Sequence, residues 1–261
     1  MELERHRGLV EQRDDLRVTF ADLLNIAGRH AEALAVLESA AFHPWEGGEG
    51  KVLGQYRVAR LALGRAALAE RDADAAEGHF AAVLNPPANL GETHHPLAAT
   101  ADVAYWRGRA ASAGGRSDAA ARHYASAASA SGDFAEMAVR AHSAMDFYKA
   151  AALRELGRHP EADVVLADLI DDCRKRLERP ATVDYFATSL PDLLVFDADP
   201  DRAENAEALA LWALAALGRG DRATARQKLT QARHLDPAHA NVTDAARLLE
   251  SGELLGRGAG S

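Results

Sequence analysis

One spacing of apolar positions recurs five times along the chain. A turn residue is followed five positions later by Ala, nine later by a large apolar residue and twelve later by another apolar one. The copies are Gly28/Ala33/Leu37/Ala40, Arg71/Ala76/Phe80/Val83, Gly115/Ala120/Tyr124/Ala127, Gly157/Ala162/Leu166/Leu169 and Gly220/Ala225/Leu229/Ala232. The offsets follow the helical period, so each copy predicts a helix entered through a turn, with one apolar face. A chain of such helix–turn–helix units builds a stacked array, and arrays of this kind bind more often than they catalyse.

Around these anchors the hydrophobic pattern predicts paired helices. The first pair covers about 9–27 and 31–41, followed by a Gly-rich break, His43-Pro44-Trp45-Glu46-Gly47-Gly48-Glu49-Gly50. The second covers about 51–70 and 74–84, and Asn85-Pro86-Pro87 stops it. The third runs over about 96–113 and 117–129, with Ser117 as N-cap. The fourth runs over about 137–156 and 160–178, with Pro160 in the first turn of its second helix. The fifth covers about 202–217 and 222–235, and a last amphipathic helix at about 240–249 is expected to cap the stack. Successive turn residues lie 43, 44, 42 and 63 positions apart. The long step isolates an insert at 180–202, read as one added helix with an irregular exit. The expected organisation is a single helical-repeat domain over 1–251 and a disordered tail at 252–261.

Composition agrees with tightly packed helices: 59 of the 261 residues are Ala and only 6% are aromatic. The formal net charge of -9 argues against nucleic acid as a partner. No window approaches the roughly 20 apolar residues of a membrane span. The charged N-terminus, MELERHRGLVEQRDD, lacks the apolar core of a signal peptide. A lone cysteine, Cys173, permits no disulfide within the chain and no Cys-based zinc site, and fits a reducing cytoplasm.

The repeated unit resembles the tetratricopeptide repeat (TPR). The fifth copy carries the resemblance best, with Ala225, Leu229, Ala232 and Pro237 in its second helix and Trp212-Ala213 in its first. Leu63-Gly64 and Arg107-Gly108 occupy the corresponding small-residue positions of the second and third units. The spacing exceeds the standard repeat of about 34 residues, and most units lack the closing Pro. The resemblance implies an all-α fold: an α-α superhelix, a right-handed solenoid of about five TPR-like helix-turn-helix units plus a C-terminal capping helix. A second resemblance rests on 42–52 and 184–191. It is to the C-terminal TPR region of large bacterial proteins that carry an N-terminal domain of unknown function. That domain is absent here, which implies a stand-alone relative, a fragment or half of a split pair with a separately encoded partner domain.

Counting from the small residues of the first helices gives a concave face lined by Val58, Leu61, Arg65, Asp102, Tyr105, Arg109, Phe147, Arg154 and Glu207. Three arginines on one face suit an acidic peptide tail, because guanidinium groups bind carboxylates bidentately. Against this stands pairing of the same arginines with Asp and Glu of neighbouring helices. Trp45 and Glu46, in the Gly-rich loop, form either a lip over that groove or an anchor for the loop. Glu92, His94 and His95 lack the spacing of a metal site. Gly50-Lys51-Val52 lacks the Ser or Thr of a phosphate-binding loop. No nucleophile elbow or dinucleotide fingerprint is present. The expectation is a cytoplasmic protein- or peptide-binding scaffold without catalysis and without cofactor or metal. The alternative is an accessory module of a carbohydrate-active bacterial protein, contacting either the catalytic partner or a sugar, the latter through Trp45, Tyr105, Trp106 and Tyr185.

Overall fold

The five turn residues all adopt left-handed backbone: φ is +75° at Gly28, +64° at Arg71, +72° at Gly115, +74° at Gly157 and +80° at Gly220. At each turn the next N–H reaches back to the carbonyl five residues earlier. The bonds are Arg29 to Leu24, Asp72 to Ala67, Arg116 to Ala111, Arg158 to Leu153 and Asp221 to Ala216, at 2.8–2.9 Å. This is the Schellman ending, which needs one residue at positive φ and consumes carbonyls the helix end leaves open. The computed structural model describes residues 2–45, 47–95, 98–131, 133–135, 138–180 and 199–252.

The turns join helices into antiparallel pairs. Two four-residue helices, α1 (Glu2–Arg5) and α2 (Arg7–Val10), precede α3 (Asp14–Ile26) and α4 (His30–Glu38). Then come α5 (Lys51–Ala69) and α6 (Ala73–Leu84), a 3₁₀ turn at Ala88–Leu90, α7 (Ala101–Ala113) and α8 (Ser117–Ala128). A two-stranded antiparallel hairpin follows, β1 (Asp133–Ala135) and β2 (Ala138–Arg140), with Phe134 opposite Val139. The remaining helices are α9 (Ala144–Glu155), α10 (His159–Leu177), α11 (Pro200–Gly218), α12 (Arg222–Leu235) and α13 (Ala240–Ser251).

The chain divides into two compact units, where the sequence reading has one continuous array. The first comprises 1–98 and 106–120, the second 99–105 and 121–261, so the division passes through α7 and α8. In the first unit α3 packs on α4, and both pack on α5, which pairs with α6. In the second, α9 packs on α10 and both pack on α11; α11 packs on α12 and both pack on α13. α3 and α9 thus each meet both their own partner and the next first helix of their unit, α5 and α11. That is the stacking rule of TPR-like hairpins, and the fold class is the all-α one expected.

The repeated side chains do the packing. Of the fifteen signature positions all but Ala40 are buried. The small residue of the first helix is needed at the crossing. A Cβ on Gly64 would lie 2.4 Å from the Phe80 ring. The residue after the turn acts in three ways, and after the third turn Arg116 donates to Asp74 of α6 at 2.6 Å. Asp72 and Asp221 cap the next helix, accepting from Ala75 N at 2.9 Å and Thr224 N at 3.0 Å. Arg29 and Arg158 instead form paired hydrogen bonds to Glu32 and Glu161, three residues on.

Three boundaries differ from the sequence reading. The first long helix is broken, with Glu11–Arg13 between α2 and α3. The fourth pair starts not at Met137 but at Ala144, after the β-hairpin. Ser143 and Asp146 form a capping box there, a stronger start signal than the Ala-rich stretch before it. The third pair starts at Ala101 rather than Pro96. The inserted helix read at 180–202 and the tail lie almost wholly outside the described residues. α13 covers α11 and α12 as the expected capping helix, burying Val242, Ala245, Ala246, Leu248 and Leu249.

Candidate functional site

The five equivalent turns give a register for comparing the first helices. Six residues before the turn stand Asp22, Arg65, Arg109, Ala151 and Leu214. Ten before stand Val18, Leu61, Tyr105, Phe147 and Ala210, and thirteen before stand Asp15, Val58, Asp102, Ala144 and Glu207.

The minus-ten row belongs to the core. Tyr105 and Phe147 are each 1% exposed, so neither offers a face to a partner in this structure. Tyr105 packs against the rings of Tyr124 and Tyr148 at centroid distances of 5.9 Å. Asp102 is also buried, and its carboxylate accepts from Val103 N at 2.7 Å. Glu207 is held by Arg176, whose guanidinium also pairs with Glu204, and it accepts from Asn241 of α13. This cluster ties α10, α11 and α13 together.

The minus-six row is different. Arg65 and Arg109 are both half-buried, and both belong to the first unit. The Arg65 guanidinium lies over the Trp106 ring, 5.1 Å from its centroid. Phe80 also stacks on that ring, at 6.1 Å. Arg109 stands one turn after Trp106 on α7. A guanidinium positioned over an indole loses less freedom on binding an anion than one in open solvent. Arg154 is not the third member of this row. It stands three residues before its turn, in the second unit, and pairs with Asp163 at 2.7 Å.

Asp22, the first member of the row, carries a carboxyl raised above its ordinary pKa by burial. It accepts from Gln55 Nε2 at 3.0 Å. Asn25 donates to the Gln55 backbone oxygen at 3.1 Å and to its side-chain oxygen at 2.9 Å, and meets His30 at 2.9 Å. This polar chain joins α3 to α5. The sequence reading missed it, although Asn25 is a polar residue on an otherwise apolar helical face, 2% exposed.

Trp45 anchors its loop rather than overhanging a groove. It packs on the core of the first unit, and its indole occupies the space where a Cβ on Gly48 would sit, 2.1 Å from Cε2. Glu46 and Tyr185 lie outside the described residues. Of the described aromatics named for sugar stacking, Tyr105 and Trp106 are buried and Trp45 is half-buried against the core of the first unit. Glu92 is a long-range helix cap. Its two oxygens accept from Gly50 N at 2.9 Å and Leu53 N at 3.2 Å, at the N-terminus of α5. His94 Nε2 lies 2.6 Å from the Val83 carbonyl. Among the described residues no group of three or more His, Cys, Asp and Glu is placed to hold a metal ion. No described helix is long and apolar enough to cross a membrane.

No protein-family model matches the chain. Among solved structures it is similar to YrrB, described as a TPR protein with an unusual peptide-binding site. The two share 15% sequence identity at a TM-score of 0.31, over 93% of this chain and 97% of that one.

Proposed function

We propose that this chain is a non-catalytic scaffold that binds a protein or peptide, and that Arg65 and Arg109 receive an acidic segment of it. The observation that carries this is the recurrence of arginine at one register position of successive first helices, with Arg65 over the Trp106 ring. Helical hairpins in a stack offer their first helices as a continuous face, and side chains that do not serve the stack are free to vary with the partner. Both arginines sit outside the signature positions that hold the hairpins together. Arg154, paired with Asp163 in the second unit, is left out of this basic site. The formal charge of -9 makes a local basic spot selective, since the rest of the surface repels acidic chains. A bacterial cytoplasm is the setting the lone, buried Cys173 suits, and a separately encoded N-terminal domain is one partner to test.

The test is charge reversal. A fluorescein-labelled peptide of about ten residues ending in Glu-Glu-Asp is titrated against the wild type and the Arg65→Glu and Arg109→Glu variants. Each reversal is expected to weaken binding at least tenfold, about 1.4 kcal/mol, with strong salt dependence. Unchanged affinity in both variants sinks the arginine assignment.

A further inference from the structure

The first hairpin carries a half-buried carboxylate without a counter-charge. Among the described residues no lysine, arginine or histidine pairs with Asp22 of α3, whose Oδ1 accepts from Gln55 Nε2 at 3.0 Å. Burial raises its pKa, and no nearby charge offsets that effect. Other carboxylates of the first unit have arginine partners: Asp14 binds Arg17, Glu32 binds Arg29, Glu38 binds Arg60 and Glu77 binds Arg107. Taking a carboxylate out of water with no cation beside it is unfavourable, and an arriving cation offsets the cost.

A chain of amides holds this carboxylate in place. The backbone oxygen of Gln55 can only accept, so the Asn25 atom 3.1 Å from it is the amide nitrogen. That nitrogen also donates to Gln55 Oε1 at 2.9 Å, which leaves Gln55 Nε2 to donate to Asp22. Asn25 Oδ1 then faces His30 Nδ1 at 2.9 Å, and the imidazole supplies the hydrogen. Every donor in the chain points from His30 towards Asp22, and aligned hydrogen bonds polarise one another. Oδ1 is thereby fixed. Oδ2 makes no hydrogen bond and is not among the buried atoms left without a partner, so it keeps contact with solvent.

One open oxygen decides the class of ligand. A divalent metal takes several oxygen ligands, and no group of three or more His, Cys, Asp and Glu is placed for one among the described residues. A guanidinium fork is matched to two free oxygens, whereas a lysine ammonium donates to one. Asp22 also holds the register position of Arg65 and Arg109, six residues before the turn. Its contact on α5, Gln55, stands ten residues before Arg65, about 15 Å along the helix axis. An extended peptide covers that distance in about five residues.

We infer that Asp22 receives a lysine ammonium of the partner polypeptide, so that the segment bound by the first unit carries a lysine about five residues from its acidic residues. The inference rests on the protein-binding reading, while the lysine contact itself does not involve the two arginines. Two measurements on the full chain test it. In the first, carbon NMR follows the Asp22 carboxyl while a short glycine peptide with one central lysine, blocked at both ends and free of acid groups, is added. The resonance is expected to move saturably and its titration midpoint to fall, with no such response to the norleucine counterpart. In the second, labelled peptides ending in Glu-Glu-Asp carry lysine or norleucine about four to seven residues before the acidic end. The wild type is expected to bind the best-placed lysine peptide at least about fivefold tighter than its norleucine counterpart. Asp22→Asn is expected to bind the two equally. The same variant is expected to have a higher urea midpoint at pH 7, which separates lost preference from lost folding. Arg65→Glu is expected to weaken both peptides and keep the lysine preference. An Asp22 carboxyl that ignores the lysine probe overturns the inference. So does equal binding of lysine and norleucine peptides to the wild type at every placement, or a lysine preference that survives Asp22→Asn. If no Glu-Glu-Asp peptide binds while the lysine probe still moves Asp22, the arginine reading falls and the lysine site stands.

Discussion

Gly64→Ala is the sharpest test of how the hairpins are held together, because two large effects oppose one another. In the middle of α5, Ala should gain roughly 0.8–1 kcal/mol over Gly from helix propensity. The structure opposes that gain. The new methyl would lie 2.4, 2.7 and 2.8 Å from three atoms of the Phe80 ring, against about 3.5–4.0 Å for a relaxed carbon contact. The ring has nowhere to go. Phe80 is 0% exposed, and Trp106 stacks on it at 6.1 Å. Forcing a methylene into a packed core costs about 1–3 kcal/mol, and disturbing an aromatic pair about 0.5–1.5 kcal/mol more. The net expectation is a loss of about 0.5–4 kcal/mol, or roughly 1–15 °C in Tm for a chain of this size. Gly78→Ala supplies the control, since Gly78 lies in α6 with nothing within 4 Å of its would-be Cβ. It should raise stability by up to about 1 kcal/mol. Urea unfolding followed by circular dichroism reads both. If Gly64→Ala stabilises as Gly78→Ala does, the crossing is looser than described and the small-residue argument fails. Phe80→Leu in the Gly64→Ala background should recover part of the loss, giving a coupling energy between the two sites.

Four further perturbations follow from the same geometry. Arg71→Gly should stabilise by about 1 kcal/mol in a thermal melt, because Arg71 is the only described non-glycine residue at positive φ; a lower Tm would refute the strain. Glu92→Ala should cost about 1–2 kcal/mol and speed amide exchange at Gly50 and Leu53, whose N–H groups lose a charged acceptor. Asp22 has a raised pKa from burial, so its contribution to stability is full below the unfolded value near 3.8 and is lost as pH rises through the folded value. Asp22→Asn should therefore raise the urea midpoint at pH 7 relative to wild type, and the gain should shrink as pH falls towards 4; a gain independent of pH would exclude this cause. Burial pushes the Cys173 thiol up to about 12, so iodoacetamide should leave the native protein unlabelled at pH 7.5 and label it in urea.

Much of the hairpin architecture was legible because one physical requirement writes itself into sequence at fixed spacing. A Schellman turn needs positive φ, which Gly adopts freely, and the following crossing needs Ala at +5 and a large residue at +9. Those requirements located four of the five turns from Gly alone, and Arg71 through its neighbours Ala76 and Phe80. The reading failed where start signals are side-chain specific. The capping box of Ser143 and Asp146 begins α9 seven residues later than the hydrophobic pattern suggests, and leaves room for the β-hairpin. The site was less legible for a related reason. Tyr105 and Phe147 look like lining residues by helical count, yet ring packing with Tyr124 and Tyr148 draws Tyr105 inward, and Phe147 meets Tyr148 edge-on at 5.2 Å. Glu92 reads as a neighbour of two histidines in sequence, whereas its contacts lie about forty residues away, a separation that no local pattern encodes.

The turn register also sorts positions by what constrains them. At the signature positions the five copies converge on small and apolar residues, because each must fit the same crossing. Six residues before the turn they diverge: Asp22, Arg65, Arg109, Ala151, Leu214. The first three are half-buried and charged and belong to the first unit, while Leu214 is fully buried in the second. A position that tolerates Asp, Arg and Leu in otherwise equivalent hairpins is not fixed by the hairpin itself. Its identity follows from what lies next to it: Gln55 for Asp22, Trp106 for Arg65, and the interior for Leu214. Under the proposed function, recognition of acidic charge through this row rests on Arg65 and Arg109, and transplanting Arg to Ala151 should not by itself extend it, since the aromatic support beneath Arg65 has to come with it.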